Sequence, residues 1–442
     1  MKKRLMTTVL AAALVGSAMF GAMPAAASDD GSTQGTNTFV DGGTEMSFWT
    51  FQELHVAFWT SMADVWNEQN PDRPINLTVT NGESHSLHTK LLTACEAGEG
   101  TPDIADIEIG YYGSFVNKDY LIPINDAVEP YKDDVVMSRV TMYGDRDGNY
   151  YGVDFHLGAT VAYYNMDIMN EAGIDPADIV TWDDYIEAGK TVLEKTGKPM
   201  TAVETNDLFL PQLMMLELGA QYVDEEGNPN LVTDEHIQVI DKIREMIDLG
   251  IVIVAPGGGF HTEEWYGFLD QGGVASVLMP LWYMGRFTDY MPDLDQKMGI
   301  YQIPVWNEGD VREVLQGGTG TSVIKGTANE QLAKDFLAFA KLSKEGCTYE
   351  WNNLGFDPIR TELWDDPEIT ENPDNKFLKY FLTNPFDILK ANGTDLTAPD
   401  ISGLYSTTYA TLVSTTYANA FEISLDTPAA DLLQEEQDSI IF

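Results

Sequence analysis

Basic residues are scarce in this chain: 25 Lys and Arg stand against 70 Asp and Glu, a formal charge of -45. A general nucleic-acid binder needs basic patches for phosphate contacts, so that class is excluded. The same imbalance argues against an anionic ligand or an anionic membrane surface, and it suits a solvated acidic coat in a salty or alkaline exterior. Cysteine is nearly absent. Cys95 and Cys347 are the only two, and although an exported chain could pair them, their separation does not decide it. Phosphate-loop chemistry is missing as well, because Gly257-Gly258-Gly259 and Gly317-Gly318 lack the Gly-Lys-Ser/Thr that such a loop requires. The run from Asp145 to Asn149 has part of a calcium loop's spacing but not its terminal Glu or flanking helices, and it reads as a turn. No metal or cofactor is expected.

What is present is enough for ordinary cores: 442 residues with 44% apolar content suggest two or three domain-sized units. The N-terminus opens with Met1-Lys2-Lys3-Arg4, continues in an apolar run over residues 5–20, and reaches Ala25-Ala26-Ala27 before polar residues. That is the pattern of a secretory signal cut after Ala27, with an uncleaved anchor as the alternative. Residues 28–43 are rich in Ser, Thr, Gly and Asp without apolar periodicity, and read as a flexible leader outside the fold.

From residue 46 the pattern alternates strand and helix. Residues 46–51 (MSFWTF), 76–80 and 104–109 read as strands, separated by a helix with Val56, Trp59, Met62, Ala63 and Trp66 on one face and another over 86–96. That order is α/β, and right-handed crossovers place the loops after each strand along one edge of a parallel sheet, where ligands collect. Residues 147–182 then string together a turn at Asp147-Gly148-Asn149, strands at 150–153 and 161–164, and a helix opened by Asn165 and stopped at Gly173. Thr181 and Asp184 form a capping box for the next helix. Further along, residues 274–279 (VASVLM) read as a buried strand and 299–304 (GIYQIP) as a return crossing.

The ordered set Asp147, Gly148, Tyr151, Gly152, Tyr163, Tyr164, Asn165, Ala172, Gly173, Thr181 and Trp182 strongly resembles a pattern of the extracellular solute-binding proteins of ABC importers. Within that family it is the sugar-carrying group that includes the maltose-binding proteins. Gly100-Thr101-Pro102-Asp103-Ile104, Leu121-Ile122-Pro123-Ile124, the glycine-rich run 316–321 and the segment 351–360 extend the likeness over residues 46 to about 360, with only a partial match at 271–275. The resemblance implies a two-lobed, periplasmic-binding-protein-like α/β fold with hinge-linked lobes around a central ligand cleft. The lobes expected from it are 44–154 plus about 315–345, and 155–314 plus about 346–442. Relatives in single-membrane bacteria usually carry a lipobox cysteine, but Leu14-Val15-Gly16-Ser17 offers Ser17 in its place. A periplasmic or freely secreted protein is therefore expected.

Position along the strands and the resemblance together nominate the ligand contacts. Gln52 and Glu53 follow the first strand, Asn81 and Glu83 the second, and Glu108, Tyr111 and Tyr112 the third. His156 follows the first crossing. Trp282 and Tyr283 match the family's aromatic stacking position. Gln316 and Gly317 sit at the re-entry loop, and Trp351 and Arg360 in the segment beyond it. The resemblance implies a monomeric, non-enzymatic protein that captures a di- or oligosaccharide by hinge closure and hands it to a membrane permease. A polyamine or other cationic solute on the same fold is the first alternative, and an exported glycoside hydrolase, which needs two carboxylates about 5–10 Å apart, the second.

Overall fold

The computed structural model describes residues 26–27, 33–310, 312, 314–394 and 396–441. The expected signal peptide, residues 1–27, lies almost wholly outside them. Strands Thr33–Thr36 (β1), Thr44–Thr50 (β2), Ile75–Asn81 (β3), Ile104–Glu108 (β4) and Gly152–Val153 (β5) build the first lobe's sheet. β2 lies parallel between β3 and β4, and the returning strand Thr319–Val323 runs antiparallel between β4 and β5. Met46, Phe48, Leu77, Val79 and Ile104 are buried from these strands. They meet helix Glu53–Gln69 (α1), which turns Phe58, Trp59, Met62 and Trp66 inward at helical spacing. Helix Ser84–Ala97 (α2) completes the next crossover and ends on Gly98 at φ +68°, a left-handed position that glycine fills without strain.

The second lobe is centred on Thr160–Asn165 (β6), every residue of which is buried. Thr201–Val203 (β7) and Val252–Val254 (β8) pair in parallel as a separate two-stranded sheet. Ser276–Pro280 (β9) and Met298–Tyr301 (β10) flank β6, both antiparallel. A strand buried on both faces reads as an unbroken apolar run, as its interior VAYY does between the polar Thr160 and Asn165. Asn165 caps helix Met166–Ala172 (α4, following the short Ile109–Val116, α3) through its side-chain oxygen, and Gly173 ends it at φ +72°. The capping box stands at Trp182–Thr196 (α5): Thr181 accepts from the Asp184 amide while Asp184 accepts from the Thr181 amide. Asp234–Asp248 (α6) packs outside this lobe. The returning strand Thr319–Val323 is β11, followed by Glu330–Leu342 (α7), Tyr405–Thr411 (α8) and Ala429–Ile441 (α9).

Three expectations need correction. Residues 33–36 of the supposed leader are strand β1, antiparallel to β3, with Ala26–Ala27 paired outside it. Asn37 just beyond is buried, donating to the Ile75 carbonyl and accepting from the Leu77 amide. Residues 299–304 begin not as a crossing but inside β10, since an apolar extended run looks the same in either role. The boundary near 345 also lies too early. Helix Lys344–Tyr349 packs on α7, and Tyr349 lies edge-on to Phe58 of the first lobe. Cys95 and Cys347 are both free thiols.

Chain segments cross between the lobes at 154–157, 316–318 and 355–359, and they are tied together. Leu157 donates its amide to the Asp357 carbonyl, Gln316 to that of Gly158, and the Asp357 carboxylate accepts from the Ala159 amide. Arg139 is fully buried beneath them. Its Nε donates to the His156 carbonyl at 3.0 Å, its Nη2 to the Gly317 carbonyl at 2.6 Å, and Nη2 lies 2.8 Å from Asp154 Oδ2. One guanidinium thus holds two crossing strands. Burial alone would push the Asp154 carboxyl up, but Arg139, then His156 and the Tyr143 hydroxyl, hold it below its usual value. Gly318 sits at φ +140°, where a Cβ would lie 2.1 Å from Asp154 Oδ2, so glycine is required for the pin to close.

Candidate ligand cleft

A cavity of about 590 Å³ lies between the lobes at the crossing strands. Its first-lobe wall comes from chain ends of the sheet: Phe51 and Gln52 after β2, Leu54 and His55 at the start of α1, Glu108 at the end of β4 and Ile109 just after it. Ligands gather at this edge in open α/β sheets because loops and helix starts converge there. Behind the wall, Asp106 is fully buried and accepts from Thr50 Oγ1 and Thr321 Oγ1, both at 2.7 Å, with His55 Nδ1 2.8 Å away. His55 stacks on Phe155 at 3.7 Å between centroids, which fixes both rings at the cleft floor.

The centre of the cleft is aromatic. Trp282 is half-buried in a cluster of rings: His261 stacks on it at 5.7 Å and 16°, with Phe209 at 5.6 Å and His156 at 6.0 Å. Its indole N–H donates to the Gln316 carbonyl at 3.3 Å, so the ring is held in orientation by the second crossing. Gly317 makes that possible: it adopts φ +67°, and a Cβ there would sit 3.1 Å from the indole nitrogen. Burial drives the His156 pKa down to about 3, and this imidazole therefore faces the cleft uncharged.

Two carboxyls line the same cavity. Glu108 accepts from Ser84 Oγ at 2.7 Å, and burial lifts its pKa above the usual range. Asp207, following β7, is lifted to about 7, by burial first and by the Glu108 charge, against the pull of the Leu208 amide. Glu204 behind it is buried and raised for the same reason, with Oε1 accepting the Phe260 amide. An acid whose pKa is raised on folding contributes stability while protonated, complete below its usual value of 3.8 and lost as pH rises through about 7. Asp207→Asn should therefore unfold at a higher temperature than the parent at pH 8, and the gap should close toward pH 4. Thermal midpoints at both pH values check it.

Of the nominated contacts, Gln52, Glu108, His156, Trp282 and Gly317 line this cavity. The others lie elsewhere. Glu53 is exposed on α1, and Asn81 ends β3 away from the cavity. Glu83 is spent as the N-cap of α2, accepting from the amides of His85 and Ser86. Tyr111 stacks on His88 at 4.3 Å outside the lining, and Tyr112 is buried, its hydroxyl 3.0 Å from that of Ser322. Tyr283 lies behind Trp282, donating to the Phe260 carbonyl and accepting from the Trp265 indole. Gln316 supports the cleft from beneath through its carbonyl, while its side chain bonds Phe209 O and Thr160 Oγ1. Trp351 packs among Phe377 and Phe386 in the core. Arg360 binds the Leu342 carbonyl and Asp134 on the outside.

Asp207, Phe209, His261, Tyr405 and Tyr409 also line the cavity and are not among the contacts nominated from sequence. A strand at 201–203 would have drawn attention to Asp207 and Phe209, but three residues carry no periodicity. Among the described residues no group of three or more His, Cys, Asp or Glu side chains converges as a metal site.

Residues 52–346 match the family of bacterial extracellular solute-binding proteins. The chain belongs to that family. It is 46% identical to an arabinooligosaccharide-binding protein of Halalkalibacterium halodurans over 79% of this chain and 78% of that one. It is equally similar to a Bacillus subtilis protein of the same name, over 77% and 78%. Among solved structures, the galacto-N-biose/lacto-N-biose I-binding protein of Bifidobacterium longum, in complex with lacto-N-biose, superposes with a TM-score of 0.73. It does so at 17% identity over 91% of this chain and 97% of that one. That solved neighbour is a two-lobed sugar-binding protein, and the likeness establishes the same fold here.

Proposed function

We propose that this solute-binding protein captures an oligosaccharide of arabinose outside the cell membrane and delivers it to the permease of an ABC importer. Export by the signal sequence at 1–27 and action as a monomer complete the reading. The observation that carries it is the oriented Trp282 platform at the lobe junction, with Glu108 and Asp207 in the same cavity lining. A pyranose or furanose offers apolar C–H faces to a ring and hydroxyls to carboxyls at its edge, and pockets of this mixed character suit such a ligand. The two relatives named for arabinooligosaccharides support the choice of sugar.

A cationic solute fits less well despite the acidic composition. A cation trap needs ionised carboxylates, whereas burial holds Glu108 and Asp207 toward their neutral forms. Asp289 at the rim is already paired with Lys376 at 2.8 Å. Thermal unfolding in the presence of arabinotriose, maltotriose, lactose and spermidine separates the readings. A ligand at a hundred times its Kd stabilises the fold by about 2.7 kcal/mol. Arabinotriose should raise the midpoint by several degrees, and a rise with spermidine alone would refute the sugar reading. Release of arabinose from the trisaccharide would refute the non-enzymatic one.

A further inference from the structure

The cleft is not the same at its two ends. At one end helix α8, from the C-terminal part of the chain, closes the gap between the lobes. Its unit is fastened to the second lobe: Arg244 of α6 donates to the carbonyls of Ala420, Ser424 and Thr427, Tyr417 shares a hydrogen bond with Tyr222, and the Gln437 side-chain Oε1 accepts from the Leu231 amide. From there α8 reaches the first lobe and packs on α3. The approach is close enough that a Cβ on Gly110 would lie 2.7 Å from the Tyr409 ring, and one on Gly113 would meet Ser406 Oγ at 3.2 Å and the Ile401 carbonyl at 3.3 Å. Asn117, just after α3, donates to the Gly403 carbonyl at 2.6 Å. No room is left for a polymer to pass between the lobes there.

The inner face of that closure lines the cavity with Tyr405 and Tyr409, next to Asp207, Glu108 and Gln212. Tyr405 is 1% exposed and its hydroxyl accepts from Gln212 Nε2 at 3.2 Å, while the Tyr409 hydroxyl lies 3.5 Å from Asp207 Oδ1. This end therefore gathers hydroxyls and carboxyls in a buried pocket. Another part of the lining is open: Tyr266 and Tyr290 stack at 4.6 Å and 5°, Tyr290 is 50% exposed, and Glu263 and Lys376, also in the lining, are exposed. A flat aromatic pair at an open rim offers a surface along which further sugar units can lie.

We infer that the cleft takes its oligosaccharide end-on, seating one terminal residue against Tyr405, Tyr409, Asp207 and Glu108, with the chain leaving past Tyr266 and Tyr290. Resting on the oligosaccharide reading above, the inference adds that recognition is of one chain end and that longer chains are accommodated at the open rim. The hydroxyls of a terminal residue, free of the next glycosidic bond, are what the pocket's hydroxyl and carboxyl groups can both donate to and accept from.

Calorimetric titration with three probes tests it: arabinotriose, its p-nitrophenyl glycoside, and arabinotriose with a benzyl ether on the terminal residue at the opposite end. One capped trisaccharide should bind within threefold of the parent sugar and the other at least a hundredfold more weakly. Tyr409→Ala, which opens the closed end, should reduce that discrimination at least tenfold, whereas Tyr409→Phe, which keeps the ring that excludes the cap but loses the hydroxyl, should weaken capped and uncapped sugars alike. The readout is a ratio of affinities within each variant, so general weakening does not imitate the result. Equal tolerance of both caps, equal rejection of both, or unchanged discrimination in Tyr409→Ala would overturn the end-on reading while leaving sugar capture intact. Failure of uncapped arabinotriose to bind would overturn the choice of sugar and this inference with it.

Discussion

Trp282→Ala should raise the Kd for arabinotriose by about 30-fold, corresponding to the loss of about 2 kcal/mol that truncation of a central, well-packed tryptophan costs. The ring is held on several sides, by His261, Phe209 and His156 around it and by the Gln316 carbonyl at its nitrogen. Such a face is presented to the ligand without the cost of immobilising a flexible side chain at the moment of binding. Trp282→Phe keeps an apolar face but loses the bond to Gln316, so its penalty should fall between those of the parent and the alanine variant. Calorimetry gives the affinities, and unchanged far-ultraviolet circular dichroism would show that the fold is not the cause. A Trp282→Ala protein that binds within threefold of the parent would remove Trp282 from the site.

Arg139→Met should lower stability by about 3–5 kcal/mol, because removing one partner of a buried ion pair leaves the other as an uncompensated charge. Asp154 is fully buried, and two crossing-strand carbonyls, of His156 and Gly317, would lose their donor in the same step. Chemical denaturation measures the loss. Lowering the pH discriminates further. The Asp154 carboxyl sits below its usual 3.8 in the folded protein, so its contribution is present above that value and is lost as pH falls through the lower folded pKa. The penalty of Arg139→Met should therefore shrink in strong acid, where Asp154 takes up a proton and no longer needs a cation. Equal penalties at pH 3 and pH 7 would mean that the pair is not what the methionine disrupts.

Much of the first lobe is legible in the sequence because its strands alternate or run apolar over five to seven residues and its helices turn one face inward. Trp59, Met62 and Trp66 fall on the buried face of α1 as their spacing demands. The capping box at Thr181 is equally readable, since two side chains three residues apart satisfy each other's amides. The leader strand was not legible. Thr33-Gln34-Gly35-Thr36 is polar because it lies near a sheet edge and buries only part of each side chain, so its composition matches that of a linker.

The cleft was half legible for a related reason. Gln52, Glu108 and Trp282 follow strands long enough to recognise, and position after a strand end carries them to the sheet edge. Glu83 follows such a strand too, but a residue at a helix start is equally suited to capping, and there the amides of α2 claim it. Tyr405 and Tyr409 reach the cavity only because the C-terminal unit folds back across both lobes. That placement depends on contacts more than 190 residues apart, such as Tyr405 with Gln212, and no local pattern encodes it.

Calorimetric titration of the unmodified protein with arabinotriose bears most directly on the proposal that this cleft captures an arabinooligosaccharide. One-to-one binding with a Kd near micromolar, about -8 kcal/mol, is the expected result. No heat of binding up to millimolar sugar would contradict it.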